Sequence, residues 1–324
     1  VYNVGKIKRI FSQNSVLGRK LIKRKFLNMV NEVDKIIDID GGIVHNYLPK
    51  NFDKSKYIIW RFAVPGTESV KNFEKKSGLK RKIKNYAKKI LSLENNKNPL
   101  SKDYKVYPID EWAKKRLADN WGLSPEEILP HTIDTEMYKY NGEKKKNQIV
   151  VLARLAQNKM IDDSIRVFAF GTKNKHRDYK LIILGGTTSD SEFYLKYLDN
   201  LIKELEIQNR VEIIKNPPTE LCVRFLKESK VIIDSQKDIS LSMGPVEAMA
   251  AGCIILACKH TGTYLETLVN GKFGFGFEDI KDGGEKLEMI LDGLEMGTID
   301  NKQSIKRASF ISEKNFIKRL KEVL

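Results

Sequence analysis

From residue 149 onward, short β-branched runs alternate with amphipathic stretches, and this alternation limits the fold more than any other feature of the chain. "IVVLARL" (149–155) reads as a buried strand. "MIDDSIRVFAFG" (160–171) has helical spacing and stops on glycine, and "YKLIILGG" (179–186) is a second strand ending in two glycines. "SEFYLKYLDNLIKELEI" (191–207) is a long amphipathic helix. The strand "VEII", the helix "TELCVRFLKES", the strand "KVIID", a helix within "LSMGPVEAMAAG" (241–252), the strand "CIILAC" and a short helix near "TYLETLV" follow. Strands alternating with helices build right-handed parallel units. The segment therefore predicts an α/β domain with a Rossmann-like parallel sheet.

The preceding half is less regular. "VDKIIDID" (33–40), "KYIIWRFAV" (56–64) and "DYKVYPI" (103–109) read as strands, and "GLKRKIKNYAKKILSL" (78–93) as a very basic helix. "DEWAKKRLADNWGL" (110–123) is a helix with an Asp start and a Gly stop. "YNGEKKKNQ" (140–148) has no apolar period and reads as a linker. The expected organisation is a first domain over 1–143, a second over 147–302, and a basic amphipathic helix over 303–324 that crosses back onto the first. Residues 1–32 read as helical and basic, with no initiator Met, so a shortened first domain or a truncated start is expected.

Charge separates the two halves. Residues 1–146 carry 32 Lys and Arg against 17 Asp and Glu, and the remainder 26 against 25. A basic half of net +15 beside a half of net +1 predicts an anionic partner for the first: phosphates, a membrane surface or nucleic acid. The other reading is a lysine-rich surface kept for solubility. No apolar run is long enough to span a membrane, and no secretory leader is visible. Cys222, Cys253 and Cys258 have no paired spacing, and the four histidines are scattered, which argues against zinc and for a reducing compartment.

Ligands of open parallel sheets bind beyond the carboxyl ends of the strands. Arg154 lies at such an end and Lys159 five residues on, before a helix. Two cations beside a helix N-terminus make a diphosphate clamp; the alternative is a solvated basic turn. Gly185 and Gly186 let backbone approach a ligand. Thr219 is the expected cap of the helix after "KNPP". Glu247 is expected in the first turn of its helix, where a carboxylate accepts from the two vicinal hydroxyls of a ribose. The amides of Ser242, Met243 and Gly244 sit at the positive end of the same helix, facing phosphate. The alternative for Glu247 is a glutamate favoured by the helix dipole alone.

In order and spacing these residues resemble the nucleotide-sugar domain of the retaining glycosyltransferases of family 4, with the GT-B fold. The likeness runs from about Ile149 to Phe277, and "PVEAMAAGCIILA…GTYLETLVNGKFGF" is its most specific part. "YKVYPIDEWAKKRLADNWGLSPEEILPHTIDTEMY" looks like the end of the family's acceptor domain. The resemblance implies two Rossmann-like domains facing a cleft, with the nucleotide-sugar on the second. It implies that Arg154 and Lys159 hold the donor diphosphate and that Glu247 is the second glutamate of an E-x7-E motif, holding the ribose. The first glutamate of that motif falls at Ile239, so either Asp238 takes its role through a one-residue bulge, or backbone and Ser240 contact the donor sugar. On the acceptor side Arg61, His45 and His131 are the candidates.

The resemblance further implies retention of anomeric configuration with no metal and no cofactor, the nucleotide-sugar being a co-substrate. "KIIDIDGG" offers Asp38 and Asp40 as a D-x-D metal pattern, but only 37 residues precede it and the clamp lies elsewhere. The +15 half fits a lipid-linked acceptor and peripheral attachment to the cytoplasmic leaflet, with nucleic acid the lesser partner. The alternatives are a nucleotide-sugar epimerase of GT-B shape, and a non-catalytic protein binding nucleic acid or membrane on a transferase scaffold.

Overall fold

The computed structural model describes residues 30, 33–39, 48, 51–61, 104–188 and 191–324. The chain divides into two compact units. One holds residues 1–109, 114–128 and 324; the other holds 110–113 and 129–323. Segment 129–143, read above as the end of the first domain, thus lies in the second unit.

In the first unit, β1 (Ile36–Ile39), β2 (Tyr57–Arg61) and β3 (Lys105–Pro108) form a parallel sheet in that order. Ile36 pairs with Tyr57, and Ile58 with Lys105. Tyr57, Ile58 and Ile59 are consecutive and all buried, the pattern of a strand covered on both faces. The helix α1 (Glu111–Trp121) follows and ends at Gly122, whose φ of +60° supplies the left-handed turn that stops a helix. The Asp110 carboxylate caps its start by accepting from the Ala113 amide at 2.6 Å. The basic stretch 78–93, the opening residues 1–29, Asp40 and His45 lie outside the described residues.

The second unit begins with α2 (Thr135–Tyr138), then β4 (Gln148–Leu152), α3 (Ile161–Gly171), β5 (Lys180–Gly185) and α4 (Ser191–Glu204). It continues with β6 (Val211–Lys215), α5 (Thr219–Glu228), β7 (Val231–Asp234), α6 (Met243–Ala250) and β8 (Ile254–Cys258). The last elements are β9 (Phe275–Phe277), α7 (Ile280–Glu295), α8 (Lys302–Phe310) and α9 (Glu313–Val323). The six strands are all parallel, in the order β6-β5-β4-β7-β8-β9. That is the doubly wound order in which the chain reverses direction between its first strand, β4, and its fourth, β7. One core joins sheet and helices, with Ile149, Ile183, Ile233 and Leu256 from the strands and Phe168, Leu198 and Leu287 from the helices.

Several elements differ from the sequence reading, among them α2 and β9, which it did not contain. Pro218 occupies the cap position of α5, and Thr219 is its first helical residue. The single terminal helix is two helices, α8 and α9. Between them Ser312 bridges Ile133, and the Thr132 hydroxyl donates to the Ile311 carbonyl at 2.8 Å. Helix α7 was not foreseen, because Gly283, Gly284 and Gly293 depress its helical propensity. Packing explains them. A Cβ on Gly284 would lie 2.3 Å from the Phe170 ring and one on Gly283 2.8 Å from Val167, so these two let α7 press against α3, while Gly293 makes room for Ile299.

Candidate functional site

The order of the sheet reverses between β4 and β7, the place where ligands of such sheets bind, and the loops leaving these two strands lie at that end. The loop after β4 carries Arg154, exposed, and a 3₁₀ turn over Gln157–Lys159. Met160 closes that turn with φ +50°, which redirects the chain into α3. The loop after β7 runs from Ser235 to Ser242, the cap residue of α6. Asp238 there has φ +52°, and Asn216 after β6 has φ +50°. These non-glycine residues in the left-handed region all sit beyond strand ends, at a cost of about 1 kcal/mol or more each.

A polar network joins the two loops. Lys159 Nζ donates to Gln236 Oε1 at 2.5 Å. Gln236 Nε2 donates to Asp234 Oδ1 and to Ser242 Oγ, both at 2.8 Å. The Thr263 hydroxyl donates to Asp234 Oδ2 at 3.3 Å and accepts from the Ser242 amide at 3.2 Å. Thr263 opens a π-helical turn, Thr263–Thr267, just after β8. Burial pushes the Asp234 carboxyl up, against the hydrogen bonds from Gln236 and the charge of Lys159. Burial, then the Arg154 charge, lowers the Lys159 ammonium. A partly desolvated cation beside a second cation, joined through Gln236 to the cap residue of α6, has the chemistry to hold an anion.

Gly185 and Gly244 are explained by packing. A Cβ at Gly185 would fall 1.9 Å from the Ala153 carbonyl oxygen, and one at Gly244 2.8 Å from that of Leu152. Both glycines let neighbouring backbone press on the end of β4. Gly186 is different: a Cβ there meets only Asn216, at 3.9 Å. Met243 is exposed at the first position of α6.

Glu247 stands at the fifth position of α6, one turn further on than its sequence suggested. It accepts from the Tyr138 hydroxyl of α2, and burial raises its carboxyl while that hydrogen bond opposes the rise. Cys222 of α5 lies close enough for the Glu247 charge to raise its thiol further than burial alone. Ser240 does not point a free hydroxyl at a ligand: its Oγ donates to Asp110 Oδ2 at 2.6 Å. Ile239, where the resemblance places the first glutamate of E-x7-E, forms a bridge with Thr261, and the Asp238 amide donates to the His260 carbonyl at 3.0 Å.

The described acceptor-side candidates fall in different units. Arg61 ends β2, half-buried, in the first unit. His131 is buried in the second, and burial lowers its imidazole to about 4, so it is neutral at pH 7. His45 lies outside the described residues. Asp38 on β1 accepts from the Tyr57 hydroxyl. Sequence reasoning missed Asp234, Gln236 and Tyr138, and read Asp110 only as a helix start. A carboxylate closing the apolar run "KVIID" was the available signal for Asp234.

Residues 132–298, just over half of the chain, match the family model described as glycosyl transferases group 1. A human GDP-Man:Man(3)GlcNAc(2)-PP-Dol alpha-1,2-mannosyltransferase is 29% identical over 148 residues, 44% of this chain and 28% of that protein. The same enzyme of Dictyostelium discoideum is 27% identical over 179 residues, 53% of this chain and 35% of its own. The chain thus matches about a third or less of the length of these relatives. A glycosyltransferase from Rickettsia africae superposes with a TM-score of 0.66 at 16% identity, covering 96% of this chain and 79% of its own. Anabaena HepE, solved with UDP and glucose, gives 0.68 at 13%, covering 95% and 83%. These likenesses show the fold, GT-B.

Proposed function

The chain belongs to the glycosyl transferases group 1, and from that premise we propose that it moves a sugar from a nucleotide-sugar donor to a lipid-linked acceptor, retaining the anomeric configuration as in family 4. Arg154, Lys159 and the amides of Met243 and Gly244 hold the donor diphosphate, and Glu247 takes two ribose hydroxyls; the Ser242 amide, expected to face phosphate as well, is already taken by the Thr263 hydroxyl. Gly186, after β5, leaves room for backbone to meet the donor, and Asp238, in the loop after β7, is assigned to the donor sugar. The observation that carries this reading is the Lys159 to Gln236 contact at 2.5 Å, which ties the β4 and β7 loops together at the end of the sheet where such folds bind nucleotides.

In transfer, the bond from the anomeric carbon to the diphosphate oxygen breaks and its electron pair leaves with the diphosphate. The acceptor oxygen bonds to the same face of the sugar, and its proton passes to the departing phosphate. Charge grows on the leaving group, where two cations and a helix start stabilise it electrostatically. No metal is needed for that role. The acceptor is taken by the first unit, which lies within the basic stretch 1–146 apart from Leu324; the net +15 of that stretch suits a phosphorylated lipid and peripheral attachment at the cytoplasmic leaflet. Among the described residues no helix is long and apolar enough to cross a membrane.

The relatives are named for GDP-mannose and a dolichol diphosphate oligosaccharide, which makes these the first donor and acceptor to try. A panel of nucleotide-sugars is screened by thermal shift, since a donor at a hundred times its Kd stabilises the fold by about 2.7 kcal/mol. The stabilising donor is then incubated with a lipid diphosphate oligosaccharide, and the product linkage is read by NMR. Transfer with retention is expected. Isomerised donor without transfer would favour an epimerase. No donor binding, with salt-sensitive oligonucleotide binding, would favour a non-catalytic scaffold.

A further inference from the structure

Resting on that reading of the donor site, we infer that Gln236 is a positioning residue that presets Lys159 for the diphosphate. Its amide has one possible orientation. A lysine has no acceptor and a carboxylate no donor, so the oxygen must face Lys159 Nζ, at 2.5 Å, and the nitrogen Asp234 Oδ1, at 2.8 Å. The second hydrogen of that nitrogen goes to Ser242 Oγ at 2.8 Å, and the Ser242 amide is held by Thr263 at 3.2 Å. Gln236 is only 3% exposed, so both ends of its amide are fixed by packing and by hydrogen bonds.

Three consequences follow from this placement. The ammonium has three hydrogens, and spending one on Gln236 fixes the direction of the other two, which remain for phosphate oxygens. A lysine stem loses about 2 kcal/mol of rotamer freedom when immobilised, and here part of that loss precedes donor binding. The third concerns charge. Asp234 stands behind Gln236 and polarises its amide, yet the neutral amide keeps the carboxylate off the lysine. A direct ion pair would leave the ammonium neutralised in advance and force the diphosphate to compete for it. The same amide sets the cap residue of α6, so one side chain aligns the lysine with the helix start that faces the same anion.

The test is a double-mutant cycle on the full chain with Gln236→Met and Lys159→Met, read as donor KM, kcat and melting temperature. Lys159→Met should slow transfer roughly 10²- to 10³-fold. Gln236→Met removes one hydrogen bond to a charged group and should slow it about tenfold or more. In the Lys159→Met background, Gln236→Met should change kcat by less than about twofold, because its effect runs through the lysine. Its effect on melting temperature should persist there, since the bonds to Asp234 and Ser242 are lost either way. Gln236→Asn keeps an amide beside Asp234 but falls short of Lys159; it is the fold-preserving variant and should reproduce the loss in kcat. If Lys159→Met leaves transfer unchanged, the donor reading itself falls. If Lys159→Met slows transfer but either Gln236 variant acts additively on it, or leaves the parent rate intact, Gln236 does not position the lysine.

Discussion

The Ser240 hydroxyl donates to the buried Asp110 carboxylate at 2.6 Å, across 130 residues of sequence. The same carboxylate accepts from the Leu241 amide at 2.5 Å and the Ala113 amide at 2.6 Å. One side chain therefore caps α1 and pins the loop that carries Asp238 and Ile239. Burial raises this carboxyl against those three hydrogen bonds. Gly262 backs the arrangement so closely that a Cβ there would sit 2.2 Å from Asp110 Oδ2.

Asp110→Ala should destabilise the fold by about 2–4 kcal/mol, from a lost cap and two buried donors left unpaired. Chemical denaturation of the parent and the variant gives the number. A loss under about 0.5 kcal/mol, the scale of an ordinary surface change, would mean the loop does not depend on this carboxylate.

Glu247→Ala should weaken donor binding by about 1.5–3 kcal/mol, the worth of a charged hydrogen-bond acceptor. Tyr138→Phe should weaken it less, because the tyrosine holds the carboxylate rather than the ligand. Calorimetric titration separates the two. Unchanged affinity in Glu247→Ala would remove this residue from the ribose.

Much of this architecture was legible in the sequence. Runs such as Ile149–Leu152 and Val231–Asp234 are buried on both faces, so their apolar character shows without knowledge of their neighbours. The positions of Arg154 and Lys159 beyond the end of β4 were legible because a strand end has a local signature, whereas Glu247 lies one turn further into α6 than its sequence suggested. Gln236 and Asp110 were not. Their partners lie 77 and 130 residues away, and a buried amide or carboxylate looks in sequence like any loop residue. The glycines of α7 misled for a related reason, since the Phe170 ring that requires Gly284 is more than a hundred residues distant.

His131 sets an acid limit on stability. Its imidazole falls from an ordinary 6.5 to about 4 on folding, because burial disfavours the charged form. The folded value is depressed, so the neutral ring's contribution is complete above pH 6.5 and is lost as pH falls toward 4. The full shift corresponds to about 3 kcal/mol. Denaturation midpoints taken from pH 7 to pH 4 should fall, and His131→Phe should flatten that fall. An equal slope in both proteins would assign the acid sensitivity to other groups.

Transfer should survive EDTA. The proposed clamp stabilises the leaving diphosphate with Arg154, Lys159 and the start of α6, and Asp38 of the D-x-D pattern already accepts from Tyr57. Complete loss on chelation, with rescue by Mn²⁺, would transfer the leaving-group role to a metal.

The basic half should bring the protein to anionic membranes. Residues 1–146 carry a net +15, and "KRKIKNYAKK" (80–89), outside the described residues, concentrates six of those positive charges. Each Lys or Arg near an anionic surface is worth about 1 kcal/mol, so a handful suffices for reversible attachment without an anchor. Vesicles with anionic lipid should therefore retain the protein in co-sedimentation, and neutral vesicles should not. Salt should release it, because the attraction decays over about 8 Å at physiological ionic strength. Replacing Lys80, Lys82, Lys84 and Lys88 with glutamate reverses the local charge and should abolish retention, while transfer to a lipid-free acceptor analogue persists. If anionic vesicles fail to retain the parent protein at low salt, the charge serves the acceptor's own phosphates, and the same four substitutions should then raise the acceptor KM in the absence of any membrane.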